Sequence, residues 1–140
     1  MLGRYADNLY WMARYLERAE NTARKIQAGL HYSITSKENN NDLLKFLIED
    51  QDQKIFKNKF NDFSLHNVLN YLINDEDNEN NIKNLLHKAR VNGKIVRTGL
   101  TREVSNSLNQ SWSSTQKLLD SPIKINNLPL MDFPICWHFC

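Results

Sequence analysis

The amino-acid sequence predicts an all-α protein, an antiparallel bundle of four to five helices. Apolar residues recur at three- and four-residue steps from Leu9 to Leu119, the period of a helix that buries one face. Alternating, strand-like runs are nearly absent, which leaves helix on helix as the way to close a core. The chain has 140 residues, enough for one such core.

The first helix is expected from Leu2 to Ile34. Leu9, Ala13, Leu16, Ala23 and Leu30 mark its apolar stripe, widened by Met12, Ala19 and Ile26. It contains no proline, and its internal glycine, Gly29, falls near the end. Glu20 sits within the stripe, so its carboxylate is expected to be partly buried and to need a partner. Ser36–Asn41 reads as a polar loop. Asp42 then suits the cap of a short helix carrying Leu43, Leu44, Leu47 and Ile48.

Phe56, Phe60 and Phe63 supply aromatic anchors, and Ser64 is a good N-cap for a helix with Leu65, Val68, Leu69 and Leu72. Asn74–Asn81 reads as an acidic, asparagine-rich loop, with its negative charge placed where the next helix dipole favours it. A fourth helix is expected from Glu79 to Thr98, with Ile82, Leu86, Ala89, Gly93 and Val96 on one face. Gly93 weakens it by about 1 kcal/mol relative to alanine, unless the missing side chain permits a close helix contact. Thr98-Gly99 interrupts the run, and Thr101 opens a last helix lined by Leu100, Val104, Leu108, Trp112 and Leu119 and stopped by Pro122. These elements make one domain over residues 1–121. Residues 122–140, with Pro129 and Pro134, read as an irregular tail.

A formal charge of +2 is too small to argue for a polyanion partner by itself. No apolar run has the length of a membrane span, and the charged N-terminus lacks a secretory signal's apolar core. Cys136 and Cys140 lie together at the C-terminus and cannot staple the fold, so a cytoplasmic, reducing location is expected. With His138 they match no standard zinc spacing, and no metal or other cofactor is expected. Phosphate loops, nucleophile elbows and zinc-protease helices are absent as motifs, and no catalytic residue is assigned.

Two clusters are candidates for binding. Arg14, Glu17, Arg18, Glu20, Asn21 and Arg24 crowd three turns of the first helix; Arg14, Glu17, Arg18 and Asn21 share a face, and Glu20 to Arg24 is the favoured i,i+4 order. Arginine forks can grip a carboxylate or phosphate, so this cluster is either an anion site or an ion-pair network that fixes packing. Lys83, His87, Arg90, Lys94 and Arg97 form a basic stripe on the fourth helix. It suits an acidic ligand, RNA, or carboxylates within the fold such as Glu17 and Glu20. Without interleaved aromatics, stacking on single-stranded nucleic acid is disfavoured.

The opening block Ala6-Asp-Asn-Leu-Tyr-Trp-Met-Ala-Arg-Tyr-Leu-Glu-Arg-Ala-Glu-Asn-Thr-Ala-Arg24, with Arg4 before it, resembles the start of the alpha-E (DUF403) family of bacterial helical proteins, whose signature pair matches Glu17-Arg18. Ala89-Arg-Val-Asn-Gly-Lys-Ile-Val-Arg97, then Arg102-Glu-Val104 and Leu108-Asn109, is similar to a second family segment that includes Arg90, Asn92, Lys94 and Arg97. Val91 stands where the family usually has glutamate, and Ser105 where tryptophan is common. The resemblance implies an N-terminal portion of a fold about twice as long, with Leu128-Pro-Leu-Met-Asp-Phe133 leading toward the second half and Pro134–Cys140 following a truncation or frame change. An incomplete bundle of that kind is expected to expose apolar surface. The resemblance also implies association with ATP-grasp-like and transglutaminase-like proteins that form or modify peptides. Three functions follow as expectations: a non-catalytic accessory or scaffold protein; an enzyme using Glu17 or Glu20 as base with Arg14, Arg18 and Arg24 on an anionic substrate; or anion or RNA binding through the fourth helix.

Overall fold

The computed structural model describes residues 2–35 and 44–120, and the regular secondary structure within them is all helical. The elements are α1 (Leu2–Thr35), α2 (Gln53–Lys59), α3 (Leu65–Ile73), α4 (Ile82–Ile95), a 3₁₀ turn (Arg97–Gly99) and α5 (Arg102–Asp120). The expected loop at Ser36–Asn41, the Asp42 cap, the tail from residue 122 with its cysteines and the proposed frame change lie outside the described residues.

Helix α1 is the spine. Met12, Leu16, Ala19, Ala23, Ile26 and Leu30 are its buried residues, the stripe expected from the sequence. Its main partner is α4, which runs antiparallel to it: Gly93 lies by Met12, and Lys88 lies over the Tyr15 ring. Helix α5 then packs antiparallel to α4, with His87 against Trp112 and Gly93 against Leu108. Gly93 is the point where the three helices close. A Cβ there would stand 2.8 Å from Leu108 Cδ1 and 3.2 Å from Met12 Sδ, so the missing side chain does permit a close contact.

The middle of the chain caps one end of this bundle. Leu44 and Ile48 are buried, but the helix expected through Ile48 gives way to turns after Lys45. Phe56 is fully buried, with Phe60, Phe63 and Tyr71 around it at ring separations of 4.9, 4.8 and 5.4 Å. The aromatic anchors thus form one cluster, with geometries that add to simple area burial. Ser64 caps α3 as expected, its hydroxyl accepting from the Asn67 N–H.

The asparagine-rich stretch after α3 is a hydrogen-bonded knot. Asn78 is buried and its amide donates to the Tyr71 carbonyl at 2.9 Å. Asn81, also buried, donates to the carbonyls of Asp75 and Asn78 and accepts from the Asn84 N–H at 2.7 Å, so it is the N-cap of α4. Capping at Asn81 starts α4 three residues after the expected Glu79. At the other end α4 stops at Ile95, short of the expected Thr98, and the 3₁₀ turn takes over. The Asp75 carboxylate, 1% exposed, accepts from Lys59 Nζ at 2.7 Å, and Asp77 joins the same ammonium at 2.8 Å. Those two bonds raise the Lys59 pKa.

Several large apolar side chains stay exposed: Leu2, Tyr10 and Ile34 on α1, Phe46 in the turn, Ile95 at the end of α4. No helix among the described residues is long and apolar enough to cross a membrane.

Candidate functional site

The residues singled out on α1 do not converge on one site. Helical residues two apart differ by about 200° in direction, so Arg18 and Glu20 cannot share a site on one side of the helix. On the outward face Arg14 Nη1 donates to Glu17 Oε2 at 2.7 Å; the bond and the charge of Glu17 together raise the Arg14 pKa. One turn further on Arg24 donates to Glu20, the i,i+4 pair expected from the sequence, and Glu20 is partly buried as expected, its side chain 21% exposed. Both glutamates are therefore gripped by arginines of their own helix.

Arg18 has a different environment. With Asn21, Thr22 and Lys25 it forms one wall of an open cleft of about 360 Å³. This 18, 21, 22, 25 spacing is a single helix face. Leu47, Ile48, Glu49 and Asp52, from the turns before α2, form the second wall. Tyr71 and Leu72 of α3, Asn78 and Asn80 of the knot, and Leu85 of α4 close the floor. Lys25 reaches Glu49 at 3.7 Å across the opening. Asp52 occupies the N-cap position of α2 yet makes no side-chain capping bond. Burial, and after it the charges of Asp52, Asp75 and Asp77, pushes the Tyr71 phenol up to about 12.

The cleft is thus lined by two cations, two carboxylates, three asparagine amides, a threonine hydroxyl and a phenol over an apolar floor. It presents charged groups of both signs. Of the residues chosen from the sequence, Arg18 and Asn21 belong to it; Arg14, Glu17, Glu20 and Arg24 do not line it. Sequence reasoning missed Lys25, Glu49, Asp52, Tyr71, Asn78 and Asn80. Lys25 carried a readable signal, since it lies seven residues after Arg18 and so on the same face.

The stripe on α4 is placed elsewhere. Lys83 donates to the Asn74 side chain at 3.3 Å, and His87 lies against Trp112. Arg90 Nε donates to Asn109 Oδ1 at 3.0 Å, with its guanidinium over the Trp112 ring. Arg90 thus turns to α5 rather than to the glutamates of α1. Asn92 donates to the Lys88 carbonyl on its own helix, while Lys94 and Arg97 are exposed. Val91 is exposed as well.

Arg90 and Asn109 come from the two stretches of the second resemblance, and they meet. Compared with known families, residues 1–131 match the model of Alpha-E, described as a predicted alpha-helical domain with a conserved ER motif. The chain belongs to the Alpha-E family. The match takes in both clusters, and Glu17-Arg18 is the one Glu-Arg step in the matched residues of this Alpha-E chain. No curated protein and no solved structure matches.

Proposed function

We propose that this Alpha-E chain is a non-catalytic helical accessory protein of a bacterial cytoplasmic system that forms or modifies peptides, and that it docks an ATP-grasp-like enzyme, alongside a transglutaminase-like protein, through the outer surface of α1. The observation that carries the reading is the exposure of Glu17 and Arg18 on that surface. A pair serving only to fix core packing has no reason to stand in solvent. Tyr10 and Trp11 lie seven residues earlier, on the same two directions of the helix, and both are exposed. Trp11 stacks on Tyr15 at 5.6 Å and meets Tyr10 edge-on at 5.4 Å. Aromatic rings beside arginine are the residues that protein interfaces favour at their centres.

The enzymatic alternative asks a glutamate and three arginines to converge on one substrate. Glu17 and Glu20 instead each bind an arginine of their own, Arg14 and Arg24, and Arg18 serves the cleft. The RNA alternative asks the α4 stripe to present its charges together, whereas Arg90 is engaged with Asn109 and Trp112.

Copurification from lysate of the source organism tests the proposal. The tagged chain is compared with Tyr10→Ala/Trp11→Ala and with Arg14→Gln/Glu17→Gln, after circular dichroism shows that both variants fold. Loss of an ATP-grasp-like partner from the variants supports docking on α1. Retention of that partner by both, or its absence from the wild type, returns these residues to a structural role.

A further inference from the structure

We propose that the cleft beside Arg18 binds a zwitterionic α-amino acid or short peptide, its carboxylate on Arg18 and its ammonium on Asp52. The inference goes beyond docking on α1 and shares only Arg18 with it, since Tyr10, Trp11, Arg14 and Glu17, the positions that test docking, do not line the cleft. Its basis is an uncompensated pair of opposite charges. Among the described residues, the Arg18 guanidinium makes no ion pair or side-chain hydrogen bond, and neither does the Asp52 carboxylate. Both line the same cleft, yet they do not bridge to one another, unlike Lys25 and Glu49 across the same opening.

Ligand charge follows from the wall composition. A simple anion would meet Glu49 and Asp52 as well as Arg18, and a simple cation would meet Lys25 as well as Asp52. A molecule carrying both charges satisfies both unpaired groups at once. Size follows from the volume: about 360 Å³ lies near the small end of the roughly 300–1,000 Å³ that small-molecule sites occupy. The amide side chains of Asn21 and Asn80 present donors and acceptors that suit a peptide unit between the two charges. Because the site is open to water, its charge contacts are screened and the affinity is expected in the millimolar range.

The test is a two-dimensional amide NMR titration of the full chain with three probes. L-alanyl-L-alanine carries both charges, L-alanyl-L-alaninamide only the ammonium, and N-acetyl-L-alanyl-L-alanine only the carboxylate. The dipeptide should give saturable shifts at Asn21, Thr22, Asn78 and Asn80, and each singly charged probe should bind about threefold to tenfold more weakly. Arg18→Gln should erase the preference for the dipeptide over the amide while keeping that over the acetylated probe. Asp52→Asn should do the reverse. Both positions reach solvent, so the variants keep the fold, checked by the dispersion of the same spectra. The inference is overturned by shifts that do not saturate, by equal binding of the three probes, or by variants that keep both preferences. Absence of an ATP-grasp-like partner from the wild-type copurification, with intact dipeptide binding, would sink the docking proposal alone.

Discussion

Replacing Asn81 separates the two jobs its side chain performs. Its Oδ1 accepts from the Asn84 N–H at 2.7 Å, capping α4, while its Nδ2 donates to the carbonyls of Asp75 and Asn78 at 2.8 and 2.9 Å. Asn81→Ser keeps an oxygen for the cap and removes both donors. The two carbonyls do not become orphans, because Asp75 still accepts from the Asn78 N–H and Asn78 from the Asn81 N–H. The loss is then two ordinary hydrogen bonds at about 0.5–1.5 kcal/mol each, or about 1–3 kcal/mol together. Asn81→Ala removes the cap as well, typically about 1 kcal/mol more.

Asn81→Asp sharpens the test. A carboxylate keeps the cap and suits the helix dipole by about 0.3–1 kcal/mol. It also turns an oxygen toward two carbonyl oxygens at a residue only 5% exposed. That repulsion should outweigh the dipole and leave Asp no better than Ser. Urea unfolding followed by far-ultraviolet circular dichroism gives the three stabilities on one scale. An alanine variant within about 0.5 kcal/mol of wild type would refute the reasoning. So would an aspartate variant more stable than serine, since the amide would then not be donating where it is placed.

Two other predictions use the same assay. The Tyr71 pKa in the fold, about 12, lies above the ordinary 10.0, so the fold favours the neutral phenol. That contribution is whole below pH 10 and is lost as pH rises toward 12; the wild type should lose stability over that window more steeply than Tyr71→Phe, and identical profiles would count against a buried phenol. At Gly93, alanine gains about 1 kcal/mol of helix propensity and presses only on the movable ends of Leu108 and Met12, so Gly93→Ala should stay within about 1 kcal/mol of wild type. Gly93→Val crowds the same three-helix junction and should cost about 1–3 kcal/mol, whereas equal stabilities for the two variants would show that the helices do not close there.

Periodicity made α1 legible almost to the residue, since the expected span ended at Ile34 and the helix ends at Thr35. The same regularity revealed the Glu20–Arg24 pair, because i,i+4 geometry is a property of one helix and needs no knowledge of its neighbours. The start of α4 was harder. Asn78, Asn80 and Asn81 are all competent caps, and only the bonds from Asn81 to the preceding carbonyls select among them. The helix expected through Ile48 failed for a related reason: Leu44 and Ile48 are buried as an i,i+4 pair, but the turns after Lys45 place them there without a helix between. Burial pattern alone does not distinguish the two.

The cleft was half legible. Its first wall is a helix face, and Arg18 and Asn21 were read from spacing; its second wall is a run of turns that reaches α1 only through tertiary packing. Nothing in the order Glu49, Asp50, Gln51, Asp52 announces which carboxylate will face Arg18. The basic stripe shows the converse limit, because regular spacing put five cations on one face while Asn109 and Trp112, far along the chain, decided what Arg90 does.

The asparagine-rich stretch ties fold to site. From the letters alone the stretch is an acidic, asparagine-rich loop and no single asparagine has a task. In the structure Asn78 and Asn81 spend their amides inside the protein, on the Tyr71, Asp75 and Asn78 carbonyls, and so hold a loop that has little apolar surface of its own to bury. Serine or aspartate in those places could accept, but could not donate to two carbonyls at once. The bond to the Tyr71 carbonyl comes from Asn78, itself a cleft residue, and Asn80 beside it lines the same space. The floor of the cleft is therefore fixed before any ligand arrives, and a ligand does not have to meet the entropic cost of ordering it. A weak, small zwitterion can be selected by a site of that kind, where a loose loop bearing the same side chains could not hold one.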